Sequence, residues 1–207
     1  MLSSSWDASE SNIEWGNIYL PSRRRPVEAT LISKVPPDSV SKFAAACVTK
    51  IGLSAGSRVL DAPCGFGRHA HWLAEAGHRV TAVDLDEKRV RAAAAQRIQA
   101  VHSIKWLVAD LERDLPLDHG TFDVMLVVHY YSDHIVDRAK QMLRTGGYLI
   151  SETFGAQGQN WQSLPKYGLV PTLLKGDFEI LELNERRVGP AKDKAVVRTL
   201  AKLCYSA

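Results

Sequence analysis

Apolar positions along this chain change period several times, and each change predicts an element. Val40, Phe43, Ala44, Cys47, Val48 and Ile51 recur at helical spacing between Pro36-Pro37 and Gly52. A helix is therefore expected to start at Asp38 or Ser39 and to stop at the glycine. From Arg58 the pattern becomes regular. Val59-Leu60 reads as a short buried strand ending at Asp61, and 66–76 as a helix with Ala70, Leu73 and Ala74 on its apolar face and Gly77 as its stop. Val80-Thr81-Ala82-Val83 is a second strand ending at Asp84, followed by an alanine-rich helix over 87–100. Third and fourth strands are predicted over 104–109, ending at Asp110, and over 122–128. A helix over 135–143, a turn at Thr145-Gly146-Gly147 and a fifth strand over 148–151 follow.

Short apolar strands that alternate with helices imply a parallel sheet covered on both faces. The tail breaks the alternation. After a helix around 163–174, two strand-like runs, 178–188 and 195–205, are joined by Gly189-Pro190-Ala191-Lys192-Asp193. That connection is too short for a crossover helix, so the pair should be antiparallel. The expected architecture is α/β, a three-layer sandwich, mainly parallel with an antiparallel edge.

Residues 1–35 differ from the rest, with serines, Trp6, Trp15, Tyr19 and the basic run Arg23-Arg24-Arg25. Aromatic residues are costly to leave in water, so this stretch reads as an arm or lid over a single domain at 36–207. Trp15 and Tyr19 fit a lid that excludes water or a staple to the surface, and the arginines read as a solvated run. The length of 207 residues suits one domain, and a net charge of +3 is too small for a nucleic-acid coat. No apolar run approaches the ~20 residues of a membrane span, the first ten residues are polar, and three scattered cysteines do not make a disulfide scaffold. A cytoplasmic chain without nucleic-acid or membrane partners is expected. Its oligomeric state stays open.

The segment 59–68, Val-Leu-Asp-Ala-Pro-Cys-Gly-Phe-Gly-Arg, puts an acid at a strand end, then a glycine turn, then a helix start. Such a turn lets a ligand approach the backbone at a helix N-terminus. Gly65-x-Gly67-x-x-Ala70 also satisfies the nicotinamide-dinucleotide fingerprint. The acids weigh between the two. Asp61, Asp84 and Asp110 close three successive strands, where an open parallel sheet has its binding rim. Asp84 is placed to accept ribose hydroxyls, whereas Asp61 would repel a pyrophosphate, which favours a cationic nucleoside. As ordinary helix caps the three acids would be structural only.

These segments, with 72–74, 77–78, 80–86, Ala109-Asp110-Leu111, 122–124 and 143–149, resemble the motifs of class I S-adenosylmethionine-dependent methyltransferases. The nearest flavour is the small bacterial type that includes tellurite-resistance and thiopurine enzymes. The resemblance covers about residues 55–155 and implies a Rossmann-like, seven-stranded, mainly parallel sheet with an antiparallel last strand. It implies S-adenosyl-L-methionine as cofactor and methyl transfer to a small-molecule acceptor by in-line displacement. Asp61 and the backbone of Cys64, Gly65 and Gly67 would hold the methionine moiety, and Asp84, next to Leu85, the ribose. Asp110 would accept from the adenine amino group, Leu111 would pack on the ring, and Val128-His129 would close the methionine side. Pro63 stands where the family usually has glycine and removes an N–H donor; it reads as a subgroup mark.

The acceptor side offers His129, Tyr130 and Tyr131 as catalytic candidates, any of which can position a nucleophile or take its proton, or simply form a pocket wall. Glu152 and Phe154 are similar candidates. No metal is expected: His69 and His71 stand two apart on a helix, and His129, Asp133 and His134 lack ligand spacing. The helix N-terminus beside Cys64 would lower its pKa, although a loop residue beside the cofactor is the simpler reading. Two further functions remain open: an NAD(P)-dependent oxidoreductase, and a non-catalytic cofactor-binding or regulatory module of the same fold.

Overall fold

The computed structural model describes residues 18–19, 40–96, 100, 104–154 and 160–205. The elements are β1 (Ile18–Tyr19), α1 (Lys42–Ile51), β2 (Arg58–Asp61), α2 (Arg68–Glu75), β3 (Arg79–Asp84), α3 (Glu87–Ala94) and β4 (Lys105–Val108). They continue with β5 (Phe122–Val128), α4 (Ile135–Met142), β6 (Leu143–Glu152), α5 (Leu169–Leu174), β7 (Phe178–Val188) and β8 (Lys194–Leu203). The strands form one sheet in the order β1-β4-β3-β2-β5-β6-β8-β7. Strands β1 to β6 pair in parallel, and β8 runs antiparallel to both β6 and β7. Strands β2 to β8 are the expected seven-stranded, Rossmann-like sheet; β1 adds two residues at its edge.

Both faces are covered, which is why the central strands lack polar alternation. On one face Val59, Val124, Leu126 and Ile150 pack with Ala44, Cys47, Ala70, Leu73 and Val90 from α1, α2 and α3. On the other, Leu60, Met125, Val127 and Leu149 pack with Val136, Ala139, Met142, Val170 and Leu174 from α4 and α5. The strand order reverses between β2 and β5, so the crevice at the strands' C-terminal ends opens there.

Local chemistry explains where element ends depart from expectation. Helix α1 begins later because the Ser41 hydroxyl accepts the Ala44 N–H at 3.1 Å, and it ends at Gly52 in the left-handed conformation. Helix α3 stops at Ala94, short of 100. The Thr145-Gly146-Gly147 turn is absorbed into β6 at a register irregularity opposite Phe122 and Val124. A Cβ at Gly147 would stand 2.9 Å from the Arg144 carbonyl, so only glycine lets the backbones close there. The helix expected around 163–174 splits into a 3-10 turn, Asn160–Ser163, and α5, with a Lys166–Lys194 bridge between them. The arm expected at 1–35 lies outside the described residues apart from β1.

Gly67 caps α2 at φ +76°, and a Cβ there would stand 2.6 Å from the Trp106 ring and 3.0 Å from the Ala93 methyl. We expect Gly67→Ala to cost about 2–3 kcal/mol in urea unfolding, through strain plus overpacking. Gly65→Ala, with nothing within 4 Å of its Cβ position, should cost only about 1 kcal/mol from its positive φ.

Candidate functional site

The turn between β2 and α2 is held down by its own amides. Cys64 N–H donates to the Val83 carbonyl at 2.8 Å, Gly65 N–H to Asp84 Oδ2 at 2.8 Å, and Gly67 N–H to the Cys64 carbonyl at 2.9 Å. Pro63, joined to Ala62 by a cis peptide, has no N–H to offer. The second oxygen of Asp84 accepts the Asp86 amide at 2.9 Å, and Asp86 is the residue that caps α3, accepting from Lys88 and Arg89. Asp84 is therefore a clasp between two loops and not a helix cap.

Above this turn lies a cleft of about 570 Å³. Its walls include Cys64, Gly65, Asp84, Leu85, Asp110, Leu111, Val128, His129, Tyr130 and Phe154 among the residues expected from sequence, together with Arg68 and Glu112. Three expectations need correction. Asp61 does not line the cleft; it is fully buried at the end of β2. Gly67 lies behind the turn against Trp106. Tyr131 packs against the core on the α4 face, its hydroxyl bound to Asp133 at 2.7 Å.

Asp61 is a buried carboxyl in an unusual setting. Neither carboxyl oxygen has a hydrogen-bond partner among the described residues. Burial pushes its pKa up to about 8, against smaller opposing pulls from the Ala70 N–H, which falls short of hydrogen-bond geometry, and the Arg68 charge. Cys64 is likewise pushed up, by burial and then by the Asp61 and Asp84 charges, so the helix N-terminus does not make it a reactive thiolate.

His129 forms the rim between β5 and the loop that follows it. Its backbone is left-handed at φ +60°, with its N–H given to the Glu152 carbonyl at 2.6 Å and its ring stacked on Phe154. Arg68 Nη2 lies 3.1 Å from His129 Nδ1. A guanidinium can only donate, so Nδ1 accepts and the neutral ring carries its proton on Nε2. Burial and the Arg68 charge both lower its pKa, with Glu152 pulling the other way. His129 thus presents an N–H donor in this arrangement. Tyr130, bonded through its hydroxyl to Glu112, has its pKa pushed up to about 12 by burial and by that carboxylate, so it stays protonated at neutral pH.

Residues 59–147 match the family model described as a methyltransferase domain. That match spans the parallel core from β2 into the start of β6. The chain is 33% identical over 104 residues to the ubiquinone biosynthesis O-methyltransferase of Caulobacter sp. (strain K31), a match covering 47% of this chain and 41% of that protein. The chain therefore spans less than half the length of that relative. Among solved structures, the 4+2 cyclase SpnF superposes with a TM-score of 0.63 at 19% identity, covering 79% of this chain and 80% of that one. The N-methyltransferase NodS from Bradyrhizobium japonicum WM9, solved with S-adenosyl-L-homocysteine, gives 0.56 at 18% identity, covering 78% and 84%.

The cofactor of such domains is S-adenosyl-L-methionine, and the cleft suits it better than a dinucleotide. A pyrophosphate needs N–H donors from the glycine turn, and the Cys64, Gly65 and Gly67 amides are all engaged within the protein. An ammonium and a sulfonium need acceptors instead, and the wall supplies the carboxylates of Asp84, Asp110 and Glu112.

The pH behaviour of Asp61 gives a test. Its folded pKa exceeds the ordinary 3.8, so between about pH 4 and 8 the folded chain holds more protons than the unfolded one and loses stability as pH rises. Asp61→Asn should abolish this part of the decline and stabilise the ligand-free protein at pH 7 by at most about 4 kcal/mol. Urea melts at pH 5, 7 and 8 read the slope; an unchanged slope would place the proton elsewhere.

Proposed function

We propose that the chain is an enzyme that transfers the methyl group of S-adenosyl-L-methionine to a small-molecule acceptor. The observation that carries this reading is the turn whose Cys64, Gly65 and Gly67 amides are spent inside the protein, beside the carboxylates of Asp84, Asp110 and Glu112 beyond the ends of β3 and β4. When bound, the cofactor supplies an electrophilic methyl on positively charged sulfur, which the acceptor's nucleophile displaces in line.

The chain's own residues bind, orient and dry the reacting ends. Asp84 keeps lone pairs for the ribose hydroxyls while clasping Gly65. Asp110, whose Oδ1 already accepts the Glu112 amide at 3.0 Å and whose Oδ2 lies 3.6 Å from Arg113 Nε, keeps lone pairs on Oδ2 for the adenine amino group. Leu85 and Leu111 flank the base, and Val128 and His129 border the methionine end. Asp61 acts from behind the turn as an acidic group that a nearby cation would ionise. His129 donates to an acceptor oxygen and orients it; the protein's main lever is geometry, since displacement at a methyl needs collinear donor and nucleophile. Kinship with the tellurite-resistance and thiopurine type rests on Pro63 in the turn.

Thermal unfolding tests the cofactor. S-adenosyl-L-homocysteine at ~100 times its Kd adds about 2.7 kcal/mol, which for a chain of this size raises the midpoint by roughly 5–10 °C. NAD and NADP should give no shift. Asp84→Ala should lose the shift, whereas Asp84→Asn, which keeps an acceptor for the Gly65 amide, should retain more of the baseline stability. A shift with a dinucleotide alone would make the chain an oxidoreductase, and none with any ligand would favour a non-catalytic module.

A further inference from the structure

A second cavity, of about 250 Å³, adjoins the first and shares His129 with it. It is walled by His129, Glu152, Thr153, Asn184, Arg186, Val196 and Arg198. Asn184 and Arg186 come from β7 and Val196 and Arg198 from β8, on alternate positions that place all four on the α1 side of the hairpin. Its functional groups are mostly donors: two guanidiniums, a side-chain amide and the neutral His129 ring, whose free nitrogen carries a proton.

The charges do not cancel. Glu152, nearly buried, is held by Arg198 at 2.6 Å and by the Ser41 hydroxyl. Arg198 is thereby neutralised. The neighbouring Lys50 and Glu182, from α1 and β7, neutralise one another at 2.9 Å. Arg186 has no hydrogen bond or ion pair among the described residues and leaves one positive charge facing the cavity. A single uncompensated guanidinium beside an existing carboxylate suits a monoanion with planar geometry and disfavours a dianion, which Glu152 would repel.

We propose that this cavity is the acceptor subsite and that it recognises a carboxylate, with Arg186 as the anchoring cation and Asn184 as its polar neighbour. The assignment rests on the methyl-transfer reading for its role, because only a cofactor in the adjoining cleft makes the cavity an acceptor site. Anchored at Arg186, a carboxylate-bearing molecule reaches past His129 toward the donor cleft, so the group that is methylated lies at the end away from the carboxylate.

The test uses benzoate and its neutral isostere benzamide, titrated into the full chain with and without saturating S-adenosyl-L-homocysteine and followed by NMR shift perturbation. Benzoate should bind about tenfold or more tightly than benzamide, and Arg186→Gln should erase that preference while leaving homocysteine-nucleoside affinity unchanged. Inorganic phosphate should compete weakly. Equal response to the two probes, response to neither, or a preference that survives Arg186→Gln would overturn the carboxylate site, as would phosphate outcompeting benzoate. Loss of nucleoside binding with the benzoate preference intact would instead overturn the cofactor reading and leave an anion site.

Discussion

The contact on which the site depends is the carboxylate of Asp84 gripping the amide of Gly65 at 2.8 Å. It ties the loop after β2 to the end of β3, and the same side chain holds the Asp86 amide on its own loop. Charge-assisted bonds of this kind are about twice as strong as neutral ones. With the Cys64 amide on the Val83 carbonyl, they make two adjacent βα turns one rigid wall. The grip also selects the ligand's chemistry. It uses turn amides that a phosphate would need and leaves carboxylates on the cleft wall, so a glycine pattern shared with dinucleotide proteins suits the cationic nucleoside of the proposed function better.

That wall stands over groups that a stability-optimised protein would avoid. Asp61 is buried with no hydrogen-bond partner among the described residues, and His129 holds a left-handed backbone between two cavities. Each costs folding energy, on the order of 1–3 kcal/mol for the strained backbone alone. Such departures concentrate where ligands bind, because the bound molecule supplies the missing partner or uses the imposed geometry. The surrounding core, continuous on both faces of β5, is what makes them tolerable.

The hairpin of β7 and β8 plays a different part. Strand β8 enters antiparallel between β6 and β7, which leaves β7 on the sheet edge with both faces largely exposed. Its α1-side positions, Glu182, Asn184 and Arg186, are free to carry polar groups because no helix packs over all of them. Variation there changes what the second cavity accepts without disturbing the cofactor wall. This separation is how one fold hosts different chemistries, and a 4+2 cyclase shares this one.

Much was legible from residue pattern alone. The parallel core from β2 to β5 follows from buried strands and helical faces that local spacing already encodes, and β5 was predicted to the residue at 122–128. The acids at the strand ends and the antiparallel tail were visible for the same reason: each depends on neighbours close in sequence. What sequence could not carry were the relations between distant segments. Asp61 and Asp84 are alike as strand-end acids, yet one is sealed behind the turn and the other faces the cleft, because the turn folds over β2 toward β3. Tyr130 and Tyr131 are adjacent and both pack against the core, but only Tyr130 reaches the cleft wall, while the Tyr131 hydroxyl turns to Asp133. The Arg68 contact that sets the His129 tautomer spans 61 residues. Asn184 and Arg186 stand two apart on β7, and only the sheet order brings them beside His129 and Glu152. Periodicity determines which face of an element is buried; which elements meet is decided by packing across the whole sheet.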